Sequence, residues 1–410
     1  MTSLRPTVRR LTVPLLLLAL VADGYDTAAF AFVVPTLARE WGVHPAALTV
    51  PLVIANVGAV LGFVLCGWLS ARWGRSAVIA LSVAVFSLGT LLLPLVGSIA
   101  LMSVVRLVIG VGFGAVIPAA VSLASDSVSV KMRDSVAIVV LIGLSVGFTL
   151  GGLTGGPLIA TLGWHAVFWL PGAVCLVFAL VLWRALPRTT TVDAGGQASA
   201  SVRGLLEQGL RARTIMLWAF AFIVFAAYYT LQSWLPTLLV EVGAGFTLQQ
   251  APLAAAALGI GGIVGGLLLA LGSAWAGVHR LIVVVVVVAV AFLVATAVAP
   301  VGRLGLLVLL AGVGAGLLAS CNASTAMAVR SYGDRRRTTG VGWTTGFGRA
   351  GSIVGPALGS VVVALDQGVG VLVLGLVAPL LVACVLAVAL SRRPARAAGL
   401  VQPEPVSLTD

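Results

Sequence analysis

The sequence predicts an all-α membrane protein with twelve transmembrane helices arranged as two six-helix repeat halves. Three observations predict it. Hydrophobic residues make up 60% of the 410-residue chain and charged residues only 9%, where soluble globular proteins carry about a quarter charged. The apolar residues gather into twelve stretches of about 20, the length that crosses the hydrocarbon as a helix. Short motifs of the first half recur, in order, roughly two hundred positions later.

The first stretch, Leu11–Leu37, is apolar apart from Asp23 and Asp26. It is too long for a signal-peptide core and lacks a small-residue cleavage site before its carboxylates, so it is expected to remain as helix 1. Leu48–Ser70 and Ala77–Val96 flank a basic turn holding Arg72 and Arg75. Ile99–Ala124 carries Arg106 and several glycines, Ser135–Ala160 carries Gly147, Gly151, Gly155 and Pro157, and Ala166–Leu186 closes the first half. Residues 187–213 break the pattern with threonines, serines, Gly195-Gly196 and arginines. They read as a polar cytoplasmic linker with a short amphipathic helix near Val202–Leu210.

Six further spans follow: Thr214–Val240, Leu248–Leu271, Leu281–Pro300, Leu304–Val329, Thr339–Ala364 and Val369–Leu390. The expected organisation is therefore 1–186 as the N-terminal half, 187–213 as linker, 214–391 as the C-terminal half and 392–410 as a cytoplasmic tail. Small residues every three or four positions let membrane helices approach closely, which accounts for most of the span glycines. Gly110-Val111-Gly112 follows no strand and sits in an apolar stretch, so a dinucleotide fingerprint is excluded. Pro157 and Pro356 are expected to bend their helices.

Three matches carry the repeat. Pro35-Thr36-Leu37 recurs as Pro236-Thr237-Leu238, the run Gly110–Gly114 as Gly312–Gly316, and Gly156-Pro157 as Gly355-Pro356. A parallel repeat of this kind places a substrate site between the halves near the midplane, with access alternating as one half rocks on the other. The exceptions to the repeat are informative. Positions equivalent to Asp23 and Asp26 hold Val224 and Ala227, and the position equivalent to Arg349 holds Thr149. Packing residues repeat, whereas the buried charges belong to one half each.

A net charge of +12 would point to nucleic acid in a soluble protein. Here the charges obey membrane topology. With the N-terminus inside, all of the 24 cations except Arg39, Arg303, Arg106 and Arg349 fall in cytoplasmic segments, so the positive-inside rule sets both termini in the cytoplasm of a multi-pass protein of the cell (inner) membrane. No nucleic-acid partner is expected. The four cysteines lie in spans without paired spacing, and His44, His165 and His279 lie in loops without ligand spacing. Neither a disulfide framework nor a metal or other cofactor is expected. No His or acidic cluster and no Ser/His pairing suggests an enzyme.

The central feature is the pair Asp23 and Asp26, three residues apart and so on one helical face. An ionised carboxylate at the bilayer centre costs roughly 2.5–3.5 kcal/mol by insertion scales, so such residues face a wet interior and serve function. Burial and a like-charged neighbour both favour the protonated form, which makes the pair candidate proton carriers. Arg349 lies close to midplane on the opposite half, and its planar fork suits a carboxylate. Arg106 serves either as a proton relay or as a structural group. Tyr25, Tyr228, Tyr229, Gln232 and Asn322 are further candidates for the substrate cavity. The helix 7 aromatics either stack on a ring or form an interfacial belt.

Gly67-Trp68-Leu69-Ser70-Ala71-Arg72-Trp73-Gly74-Arg75 resembles the loop signature between helices 2 and 3 of the major facilitator superfamily, with Ala71 at the acidic position. Arg106 with its glycines and Gly152-x-x-x-Gly156-Pro157 resemble that superfamily's helix 4 and helix 5 motifs. Within it, Asp23-Gly24-Tyr25-Asp26-Thr27 and Arg337-Thr338-Thr339-Gly340, followed by Gly348-Arg349, are similar to the aromatic acid:proton symporters. That resemblance implies the major facilitator fold, the helix 1 aspartates and the arginines at 337 and 349 as transport residues, a carboxylate at Asp126, and a monomer. It further implies import of a small organic, aromatic anion with protons; a proton-driven exporter of drugs or metabolites is the alternative. Arg72, Arg75, Asp126, Arg133 and Arg337 at the cytoplasmic ends are expected to make gating contacts, chiefly charge contacts between the halves.

Overall fold

The computed structural model describes residues 6–129, 133–187, 202–207, 210–241, 245–332 and 334–392. Among these, twelve helices are long and apolar enough to cross a membrane, and no strand occurs. The first six are α1 Pro6–Trp41, α2 Thr49–Trp73, α3 Arg75–Leu92, α4 Ile99–Asp126, α5 Arg133–Leu162 and α6 Ala166–Ala185. The second six are α7 Arg211–Glu241, α8 Pro252–Trp275, α9 Val278–Val298, α10 Arg303–Ser331, α11 Asp334–Ala364 and α12 Val369–Arg392. An even number of crossings puts the start of α1 and the end of α12 on one face, called here the terminal face. Of the expected linker, Val202–Leu205 forms a single helical turn; residues 188–201 and 393–410 lie outside those described.

Several helix ends differ from the sequence reading for local reasons. α3 stops at Leu92 and tightens into a 3-10 turn over Leu93–Leu95, because Pro94 cannot donate to a continuing helix. α8 begins at Pro252 rather than at Leu248, proline being suited to the first helical position, where its missing N–H is not needed. Before α2, the short turn Pro45–Leu48 is capped by His44, whose Nδ1 accepts the Ala46 N–H at 3.2 Å.

Glycines bring the helices together. Between α1 and α5, a Cβ at Gly24 would overlap the Leu144 carbonyl and one at Gly147 the Val21 carbonyl. α7 and α11 repeat the device with Gly351 on Phe222 and Gly355 on Ala226. α4 reaches α2 through Gly110 on Ala55 and Gly114 on Ala59, and in the second half Gly261 and Gly265 of α8 lie on Ala311 and Ala315 of α10. Lipid supplies no hydrophobic drive between helices, so close backbone approach of this kind supplies the packing.

The halves meet along α5 and α8, α2 and α11, and α1 and α7. On the face away from the termini that contact is tight. Gly152 lies against the backbone of Pro252 and Ala256, and Gly156 against Gln249. Two exposed ion pairs span the halves on the same face, Arg39–Glu241 at 3.0 Å and His44–Asp366 at 3.1 Å.

Candidate functional site

Between the halves, α1, α2, α4, α5, α7 and α11 enclose a cavity of about 50 Å³ that holds Asp23, Asn56, Tyr229, Gln232 and Arg349. A second cavity of about 220 Å³ shares Leu144, Phe148, Tyr229 and Arg349 with it and runs past Val121, Thr325 and Thr345 toward the terminal face. Arg349 and Tyr229 stand where the two meet. The Arg349 Nη1 donates to the Tyr229 hydroxyl at 3.3 Å.

The two aspartates part company. Asp23 is 4% exposed; its Oδ1 accepts from the Thr27 hydroxyl at 3.4 Å, and its Oδ2 has no hydrogen-bond partner among the described residues. It shares the smaller cavity with Arg349 but forms no ion pair with it. Asp26, equally buried, turns into the first half. Its Oδ2 receives Arg106 Nη1 at 2.9 Å and its Oδ1 the Thr90 hydroxyl at 2.8 Å. The Arg106 guanidinium lies over the Phe30 ring, 4.2 Å from the centroid, so α1, α3 and α4 are tied by one buried charge pair. Three residues of helix separate the two carboxylates by about 60° of rotation, enough to leave one with an unpartnered oxygen and give the other a fixed cation. The two carboxylates thus have different partners, with Arg106 also lining the smaller cavity beside Asp23.

A model of the Major Facilitator Superfamily matches residues 16–356. The chain belongs to that superfamily. It is a transporter rather than an enzyme, and its 4-hydroxybenzoate-transporting relative PcaK of Pseudomonas aeruginosa PAO1 is 30% identical over 396 residues, 87% of each chain. A 3-(3-hydroxy-phenyl)propionate transporter of Escherichia coli K12 is 30% identical over 366 residues, 88% of this chain and 89% of that one. The inward-facing, unoccupied crystal structure of a bacterial homologue of the human lysosomal transporter Spinster superposes with a TM-score of 0.71 over 95% of this chain and 98% of that chain, at 18% identity. That likeness establishes the fold.

The other residues of this transporter singled out in its sequence fall into three groups. Tyr229, Gln232 and Asn322 line the cavities between the halves, and Gln232 donates through Nε2 to the Thr27 carbonyl at 3.1 Å, joining α7 to α1 one turn from Asp23. Tyr228 lines the larger cavity with its hydroxyl buried and unpartnered. Tyr25 departs from expectation. Its hydroxyl accepts from Thr154 at 3.4 Å, and it lines a lateral cavity of about 660 Å³ among α1, α3, α5 and α6, within the first half.

At the terminal face, Arg72, Arg75 and Asp126 also differ from the sequence reading. Arg75 pairs with Asp126, which joins α3 to α4 inside one half instead of bridging the two. Exposed Arg72 lies over Trp68 of its own helix, 5.8 Å from the ring centroid. The side chains of Arg133 and Arg337 lie outside the described residues. Among the described residues, charge contacts between the halves occur on the opposite face, through Arg39 with Glu241 and His44 with Asp366. Sequence reasoning passed over these four because each sits singly in a short loop or at a helix end. The repeat carried a usable signal for one pair: Arg39 and Glu241 occupy equivalent places in the two halves. Thr27 and Phe148 were missed as well, both being ordinary residues of an apolar span.

Proposed function

We propose that this transporter carries a small aromatic carboxylate inward together with a proton, by alternating access of the cavity between its halves. The observation that supports it is the arrangement of Asp23 and Arg349, in one cavity, unpaired with each other, beside an Asp26 already neutralised by Arg106. Charge counting gives the coupling. With Asp23 ionised and no substrate, the cavity is neutral. A carboxylate on Arg349 alone leaves it negative, and a proton on Asp23 alone leaves it positive. Both together restore neutrality. Uncompensated buried charge is costly, so empty and doubly loaded states cross the occluded intermediate far more readily than singly loaded ones.

Arg349 and Tyr229 supply the anion pole, a planar cation and a hydroxyl side by side. Phe148 and Phe225 supply aromatic wall. The names of the relatives, transporters of hydroxylated aromatic acids, agree with such a lining. With the cationic segments on the cytoplasmic side, the terminal face is cytoplasmic, the far-face contacts close the outside, and the larger cavity leads inward.

Uptake of labelled 4-hydroxybenzoate into proteoliposomes, with and without an inward proton gradient, tests the proposal. Accumulation above equilibrium only with the gradient is expected. Gradient-driven expulsion of the same compound, or uptake indifferent to the gradient, overturns it.

A further inference from the structure

Resting on that reading, we infer that Tyr228 and Asn322 form a second, neutral pole in the larger cavity that binds a ring hydroxyl of the substrate. Tyr228, a wall residue of this cavity, is 1% exposed, and its buried hydroxyl has no hydrogen-bond partner among the described residues. A buried hydroxyl left unpaired is costly, and such groups call for a ligand, a water or another partner. Nothing in the anion pole answers that need. Tyr229, the next residue of α7, faces Arg349, and one helical step turns Tyr228 about 100° away from it. The two rings stand edge to face, 5.4 Å apart at 88°, so the adjacent tyrosines address different ends of one space.

Asn322 lines the same cavity from α10, and its side chain makes no hydrogen bond among the described residues. Phe148 closes over the Tyr228 ring from the other half at 6.0 Å. At about 220 Å³ the space suits a single substituted ring, since pockets for drug-sized molecules begin at about 300 Å³.

The chemistry of this pole selects among substituents. A phenol and a carboxamide can each donate and accept, which matches a neutral hydroxyl. Neither carries charge, so a second carboxylate or a phosphate there would be buried without a counter-ion. The preferred substrate is therefore a hydroxylated aromatic monocarboxylate, with dicarboxylates rejected.

Binding of 4-hydroxybenzoate, 3-hydroxybenzoate and benzoate to the purified full chain, wild type against Tyr228→Phe and Asn322→Ala, tests this. The wild type is expected to prefer a hydroxylated acid over benzoate. Each variant is expected to weaken that acid by about tenfold while leaving benzoate within about twofold. Equal loss for all three ligands would make Tyr228 and Asn322 packing residues and overturn the inference, as would a wild type that does not distinguish them. In both of those cases the proposed transport of aromatic acids stands. A wild type that binds none of the three overturns that reading and this inference together. Asn322→Ala reads the same ratio independently, so a Tyr228→Phe chain that does not fold does not leave the matter open.

Discussion

Arg39 and Glu241, 202 positions apart and at equivalent ends of the two repeats, pair across the face away from the termini. The Arg39 Nε and Nη2 both reach one Glu241 oxygen, at 3.3 and 3.0 Å. Their side chains are 52% and 36% exposed, and exposed pairs of this kind contribute about 0–1 kcal/mol. Arg39→Glu is expected to slow uptake less than about fivefold and to raise labelling of engineered thiols from that face. Combining it with Glu241→Arg should restore both, and unchanged labelling in Arg39→Glu would remove the pair from the gate.

Substitution at the two aspartates should separate folding from coupling. Asp26→Asn strips Arg106 of its counter-ion, and breaking a buried pair costs about 3–5 kcal/mol. A large fall in thermal stability in detergent is expected, partly recovered by adding Arg106→Gln. Asp23→Asn removes no charged partner, so the melting temperature should hold while the proton gradient ceases to drive accumulation. Equal melting losses in the two variants would contradict the division of roles.

The pH dependence has a definite sign. In the proposed cycle the carboxylate enters with a proton on Asp23, so wild-type uptake should rise as the outside is acidified, and Asp23→Asn should flatten that profile while keeping substrate counterflow. A variant whose uptake still climbs with acidification would transfer the proton elsewhere.

Arg349→Lys keeps the charge and loses the planar fork. A KM raised by about tenfold or more, with the protein still folded, is expected. An unaltered KM would remove Arg349 from the anion pole.

Gly152→Ala and Gly114→Ala should fail differently. The added methyl at 114 meets Ala59 inside one half, whereas at 152 it meets Ala256 across the halves. Loss of thermal stability is expected for the first. Transport lost at nearly normal stability, with the far face held open to thiol reagents, is expected for the second. Matching melting curves for the two would argue that the halves do not separate there.

The fold was legible because its determinants are local and repeated: apolar length, small-residue spacing and the recurrence of Pro35-Thr36-Leu37 or Gly156-Pro157 need no tertiary information. The positions of Asp23, Asp26 and Arg349 were legible for the converse reason, being costly charges in apolar spans. Their partners were not. Whether Asp26 meets Arg106 or Arg349 depends on a rotation of about 60° within α1, which spacing alone leaves undetermined. Arg75 and Asp126 illustrate the same gap, since helix ends on one face can pair within a half or between halves with identical sequence. Tyr25 lines the lateral cavity because, two residues on from Asp23, it lies about 200° round α1 from it.

The Asp26–Arg106 pair has an electrical consequence. With Asp26 balanced by Arg106 as in this structure, a single carboxylate remains to be loaded, so the proposed cycle moves one proton with each monocarboxylate anion. Such a cycle is electroneutral. The membrane voltage, which acts on every transferred elementary charge at about 2.3 kcal/mol per 100 mV, then neither assists nor opposes it, and accumulation is powered by the pH difference alone.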